Sequence, residues 1–129
     1  MLLPHGTIIA LVDARSFHLI RNAGTEAEPK LIDLPTPRLD SHNHSGGSHH
    51  DGGATVMAED AHAIAAIAWL NAEVLAHRIT HLVVVAAPRI IGELRKHYHK
   101  ALEQALIGEL AKDLAGRKGD VVLEALRNR

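Results

Sequence analysis

The sequence predicts an α/β or α+β sandwich built on one mixed sheet. Two uninterrupted apolar runs, Thr7–Val12 and Leu82–Ala87, have the composition of strands buried on both faces. Between them, Met57–Arg78 reads as a long helix, the crossover that would place the second run parallel to a neighbour. Two shorter strand signals directly after the first run complete an antiparallel meander.

The elements follow in order. Asp13-Ala14-Arg15 reads as a tight turn, and Ser16–Arg21 alternates Phe17 and Leu19 against Ser16 and His18, so residues 7–21 form a hairpin. Asn22-Ala23-Gly24 closes it. Leu31–Leu34 is a third strand, and Asp33 within it with Pro35 just beyond places it at a sheet edge. From Pro35 to Thr55 the chain turns to Pro, Ser, His, Asp and Gly, a loop longer than the ordinary 4–6 residues or so and therefore a candidate for function.

In the helix from Met57, Leu70, Val74, Ile67, Ile64, Leu75 and Ala68 fall on one stripe, expected to face the core. A second stripe carries Ala61, Ala65, Ala72 and Ala76 beside Trp69 and His62. Its small residues and single large aromatic suit close helix approach, so a homodimer through this face is one expectation; Trp69 at the rim of the core is the other. Leu82–Ala87 ends at Pro88, which can open the next helix, Arg89 to about Tyr98. Ala101–Leu114 reads as helix on propensity alone. Gly116–Gly119 is a break, and Asp120 caps a final helix through Leu126.

Composition narrows function more than it assigns it. The 129 residues fit one domain, and the absence of cysteine excludes disulfides, thiolate zinc sites and a cysteine nucleophile. Lys and Arg number 14 against 15 Asp and Glu, a balance that disfavours blanketing nucleic acid, although Arg89, Arg95, Lys96 and Lys100 form a candidate local basic patch. No stretch approaches a membrane helix, and Met1–Gly6 lacks a positive n-region, so no membrane association and a cytoplasmic location are expected.

The unusual feature is eleven histidines, four of them from His42 to His50. His42, His44, His49 and His50 with Asp51 form a candidate site for Zn, Ni or Cu, since nitrogen-rich sets on a pliable segment suit those ions; a solvated histidine-rich loop is the plainer alternative. No G-x-S-x-G, H-E-x-x-H or P-loop pattern occurs. Asp13 in a hairpin turn, and Glu59 and Asp60 at the expected start of the long helix, have ordinary structural readings.

The order of motifs then becomes recognisable. Leu3-Pro4-His5-Gly6-Thr7 leads into a strand ending Val12-Asp13, and the second strand ends Leu19-Ile20-Arg21-Asn22. Leu82-Val83-Val84-Val85-Ala86-Ala87-Pro88-Arg89 is followed by Gly92-Glu93-Leu94-Arg95, then by Glu109–Leu114 and a terminal helix. Together these resemble the bacterial host attachment family, proteins required for attachment to host cells. That family in turn looks like the middle domain of the class-I peptide release factors of archaea and eukaryotes. The resemblance implies a ribonuclease-H-like α/β sandwich with a five-stranded mixed sheet: three antiparallel strands, then helix, strand, helix, strand, helix. It also implies that roughly Ala105–Ala111 is a fifth strand, against local propensity, with Leu106, Gly108 and Leu110 on one face.

In those release factors the loop before the long helix carries Gly-Gly-Gln, which helps water attack peptidyl-tRNA. The matching loop here has Ser45-Gly46-Gly47-Ser48 and Asp51-Gly52-Gly53, with no glutamine at either place, so no catalytic residue is carried over. The expectation is a non-catalytic interaction protein acting indirectly in attachment, with Arg89, Gly92, Glu93, Arg95, Lys96 and Trp69 as candidate binding surface for a protein partner. A ribosome- or RNA-associated rescue or quality-control factor and a metal-binding protein are the alternatives.

Overall fold

The computed structural model describes residues 1–39, 51–114 and 117–128. Strands β1 (Ile8–Val12) and β4 (Leu82–Ala86) are buried at every position, as their unbroken apolar composition requires. They pair in parallel, and β1 also pairs antiparallel with β2 (Phe17–Asn22), Val12 opposite Phe17. β3 (Leu31–Leu34) lies antiparallel on β2, and β5 (Leu106–Ala111) parallel on β4, giving the order β3-β2-β1-β4-β5. This is the five-stranded mixed α/β sandwich that the resemblance implied, with β3 at an edge.

The helices are α1 (Asp51–Leu75), α2 (Pro88–Arg95), α3 (Lys100–Ala105) and α4 (Gly119–Arg127). Alternation along the central strands divides the core. Ile8, Ala10 and Val12 with Leu82, Val84 and Ala86 face α1, α2 and α3, where Ile67, Leu70, Ile90, Leu94 and Leu102 cover them. Ile9, Leu11, Val83 and Val85 face the opposite layer, made by Leu3, Val122 and Leu126.

Several boundaries differ from the expectation. α1 begins at Asp51, not Met57, so Asp51-Gly52-Gly53 belong to a helix and the connection from β3 ends earlier. Glycine lowers helix propensity by only about 1 kcal/mol per residue, too little to stop a helix that tertiary packing propagates. The buried stripe of α1 is Ala63, Ala66, Ile67, Leu70 and Val74, whereas Ile64 and Leu75 are exposed. Small alanines seat the helix closer to the sheet than the larger residues would, which rotates the contact face. α1 ends through His77 in the left-handed region at φ 63°, with Arg78 N–H donating to the Glu73 carbonyl at 2.9 Å.

α2 stops at Arg95 without a glycine or proline. Asn71 of α1 supplies the reason: its Nδ2 donates to the His97 carbonyl at 2.9 Å and its Oδ1 accepts from the His99 N–H at 3.0 Å. The backbone groups freed at the break are thus satisfied from a neighbouring helix. His99 then caps α3, its Nδ1 accepting from Ala101 N–H at 3.0 Å. β5 follows as the resemblance implied, with one correction. A register shift between Leu82 and Val83, whose partners are Leu106 and Gly108, leaves Ile107 outside the pairing. Leu106 therefore packs with the α1 layer and Leu110 with the α4 layer, so they do not share a face.

Asn22, fully buried, joins three chain segments. Its Nδ2 donates to the Leu3 carbonyl at 2.8 Å and the Thr25 carbonyl at 3.3 Å, and its Oδ1 accepts from Gly24 and Lys30 N–H, both at 2.9 Å. Gly6, at φ 85°, turns the chain so that its N–H donates to the Asn22 carbonyl at 2.8 Å. Any side chain at Gly24 would collide with the Glu28 carbonyl and the Lys30 amide. Asn22→Ala strips every one of these side-chain bonds and leaves buried donors and acceptors unpaired. A loss of about 2–4 kcal/mol is expected by urea unfolding. By contrast, His77→Gly relieves the left-handed backbone and is expected to gain about 0.5–1 kcal/mol in the same assay.

Candidate functional site

The arginines of α2 singled out in the sequence meet α1 at one end of that helix and β5 at the other. Arg89, in the first turn of α2, spans to α1: Nη2 lies 2.7 Å from Glu59 Oε1 and Nη1 3.2 Å from Asp60 Oδ1. Glu59 and Asp60 are therefore not first-turn carboxylates. They sit over two turns into α1, and the pair of carboxylates holds the Arg89 guanidinium above its ordinary pKa, chiefly through the Asp60 hydrogen bond.

Arg95, at the other end of α2, reaches β5. Its Nε lies 3.0 Å and its Nη2 2.5 Å from Glu109 Oε1, and the Tyr98 hydroxyl donates to Glu109 Oε2 at 2.6 Å. Hydrogen bonding and charge from Glu109 raise the Arg95 pKa. Burial, then the Glu109 bond, raise that of the Tyr98 phenol well above its ordinary value of 10.0. Glu93 accepts from Lys96 Nζ at 3.3 Å and lies 3.4 Å from His97 Nε2.

These contacts revise the candidate basic patch. Of the four residues in that patch, Arg89, Arg95 and Lys96 are each matched by a carboxylate, so the α2 face is charge-balanced, and Lys100 lies beyond it at the start of α3. Gly92 is exposed on the same helix with nothing near its α-carbon's open side. Trp69 is half-buried and stands edge-on to Phe17, ring centroids 5.7 Å apart, at the rim of the core. Asp13 serves its hairpin: its N–H donates to the Ser16 carbonyl at 2.9 Å.

The candidate tripeptide residues Ser45, Gly46, Gly47 and Ser48, and the candidate metal ligands His42, His44, His49 and His50, lie outside the described residues. Among the described residues, no group of three or more His, Asp or Glu is placed to hold a metal ion. None of the described helices is long and apolar enough to cross a membrane.

The topology thus delivers the 40–50 connection from an edge strand to the N-terminus of the longest helix, and α1's early turns are pinned by Arg89. Across residues 6–126 the chain matches the model of bacterial archaeo-eukaryotic release factor family 12. The chain belongs to this release-factor family. No curated protein matches it, and the host attachment name has no counterpart in the comparison.

Neither Gly-Gly pair of the chain is followed by glutamine. Its single glutamine is Gln104, in α3, far along the sequence from either Gly-Gly pair. Sequence reasoning missed the Tyr98–Glu109–Arg95 contact, because nothing local joins a residue after one helix to a strand that reads as helix. It also missed a cleft of about 350 Å³ on the opposite layer, lined by Leu11, His18, Ile20, Asp33, Arg117 and Lys118. His18 had been visible only as the polar member of an alternating strand.

A test follows from Tyr98. Because its folded pKa is raised, its contribution to stability is complete below the unfolded value near 10 and declines as pH rises above it. Tyr98→Phe is expected to cost about 1 kcal/mol at neutral pH and to flatten the loss of stability above about pH 10, followed by urea unfolding across that range.

Proposed function

We propose that the protein is a recognition module of the release-factor type that associates with ribosomes and does not itself hydrolyse peptidyl-tRNA. The observation that carries this reading is the family match across residues 6–126. Release factors present their tripeptide from the connection between the third strand and the long helix, and this chain keeps that connection, from Pro35 to the start of α1 at Asp51, without a glutamine in it.

The chemistry of the described surface supports recognition in preference to bond cleavage. Glu59, Asp60, Glu93 and Glu109 each face a cation, which leaves none of these four poised as a general base. Docking onto ribosomal RNA would be sensitive to salt, and only moderately so for a chain of net charge -1.

Co-sedimentation with ribosomes is the direct test. The wild-type chain is expected in the ribosomal pellet at moderate salt, and replacing residues 42–50 by a short Gly-Ser linker is expected to weaken binding about tenfold, or ~1.4 kcal/mol. Failure of the wild-type chain to pellet overturns the proposal. Release of peptide from stalled ribosomes by the wild-type chain alone would overturn its non-hydrolytic part.

A further inference from the structure

The cleft on the α4 layer arises from the path of that helix. α4 begins at Gly119, against Leu31 of β3, and ends beside Met1, whose side chain lies over Gly108 of β5. Leu31 pairs with Asn22 and Gly108 with Val83, so the helix crosses the sheet near the starts of β1 and β4. The corner toward the end of β1 is left to the segment that leads into α4. There Leu11 lies opposite His18 and Ile20 opposite Asp33, and Arg117 and Lys118 complete the lining of a space of about 350 Å³.

This lining departs from the chemistry of its layer. The neighbouring sheet positions on the same face, Ile9, Val83, Val85 and Leu110, are buried and apolar. His18 and Asp33 are polar and exposed. Among the described residues, none makes a side-chain hydrogen bond or ion pair with His18, Asp33, Arg117 or Lys118. The α2 layer differs, since Arg89 and Arg95 there are each committed to a carboxylate. Four polar groups without a partner in the fold thus line one space, two cations, a carboxylate and an imidazole, above the buried Leu11 and Ile20.

That set of groups selects a chemistry. Two adjacent cations hold an anion, and a carboxylate beside them disfavours a ligand that is anionic throughout. Asp33 only accepts hydrogen bonds, so it calls for donors close to the anion, and His18 can donate or accept. A phosphate with hydroxyl groups on nearby carbons supplies both. Among the described residues no aromatic side chain lines the cleft, so a nucleobase has no ring on which to stack. The space lies at the lower end of the roughly 300–1,000 Å³ of small-ligand sites.

We propose that the cleft between β2, β3 and the start of α4 binds a phosphorylated sugar, its phosphate on Arg117 and Lys118 and its hydroxyls on Asp33 and His18. A free pentose phosphate and a ribose-phosphate unit of RNA share this chemistry. The site uses none of residues 42–50 and does not depend on association with ribosomes.

The test is a titration followed by backbone amide chemical shifts, with ribose 5-phosphate, ribose and inorganic phosphate as probes. Ribose 5-phosphate is expected to bind saturably at millimolar concentration, moving the amides of His18, Asp33 and Lys118, and about tenfold more tightly than inorganic phosphate. Ribose alone is expected not to bind. Arg117→Ala combined with Lys118→Ala is expected to weaken both phosphate probes at least about tenfold. Asp33→Asn is expected to weaken ribose 5-phosphate while leaving inorganic phosphate unaffected. All three side chains are exposed, so an unchanged urea midpoint is expected for each variant.

A short single-stranded RNA and the DNA of the same sequence separate the two sources. For a free sugar phosphate, neither oligonucleotide displaces ribose 5-phosphate. For a unit of RNA, the RNA displaces it and the DNA, lacking the 2′-hydroxyl, does so less well. Absence of a saturable shift with ribose 5-phosphate overturns the proposal. So does a shift that survives loss of Arg117 and Lys118, or equal binding of ribose 5-phosphate and inorganic phosphate. Displacement by DNA as strong as that by RNA identifies a general polyanion patch and overturns it as well.

Discussion

Burial of β1 and β4 on both faces is the constraint from which the rest of the structure follows. Neither strand has a polar position, so the sheet must be covered twice or expose a row of Val, Ile and Leu. One cover is thick: α1, α2 and α3 lay Ile67, Leu70, Ile90, Leu94 and Leu102 over one face. The other is thin, supplied by α4 and by Leu3 from the chain's start. That asymmetry explains why Asn22 carries so many bonds. Leu3 can act as a core residue only if the segment holding it is fixed. The Asn22 amide takes the Leu3 carbonyl while Gly6 donates to the Asn22 carbonyl.

The motifs quoted from the sequence thereby acquire separate physical meanings. Leu3-Pro4-His5-Gly6-Thr7 and Asn22 form one polar clamp, closed further by the Thr7 hydroxyl donating to the Pro4 carbonyl at 2.7 Å. Gly92-Glu93-Leu94-Arg95 is a helix whose inner residue, Leu94, is fully buried and whose outer ones exchange charge with their neighbours. Both tie neighbouring elements together, the first at the chain's start and the second, with Arg89, between α1 and β5.

What could be read from the sequence was whatever local pattern decides. β1, β4, the hairpin and α4 follow from apolar runs, alternation and turn residues within a few positions. The contacts that define the candidate site do not. Arg89 meets Glu59 and Asp60 from about thirty residues away, and Asn71, near the end of α1, bonds the backbone that follows α2. β5 is the sharpest case. Ala101–Leu114 is rich in helix formers, yet the open edge of β4 takes Leu106–Ala111 as a strand, and the preference is overridden at Leu106. Its register shift is equally invisible locally, because it answers to the spacing of the two cores. The resemblance placed this strand where propensity had placed helix, which is a case of the whole fold deciding a segment.

The ion pairs also bear on how the fold can move. Arg89 and Arg95 sit at the two ends of a helix of 8 residues, and each anchors a different neighbour, α1 and β5. Exposed pairs of this kind contribute little to stability individually. Their effect is geometric, because α2 cannot rotate without breaking contacts at both ends. α1 and the far edge of the sheet are thereby joined into one frame through α2. Glu59, Asp60 and Glu109 are committed to that frame.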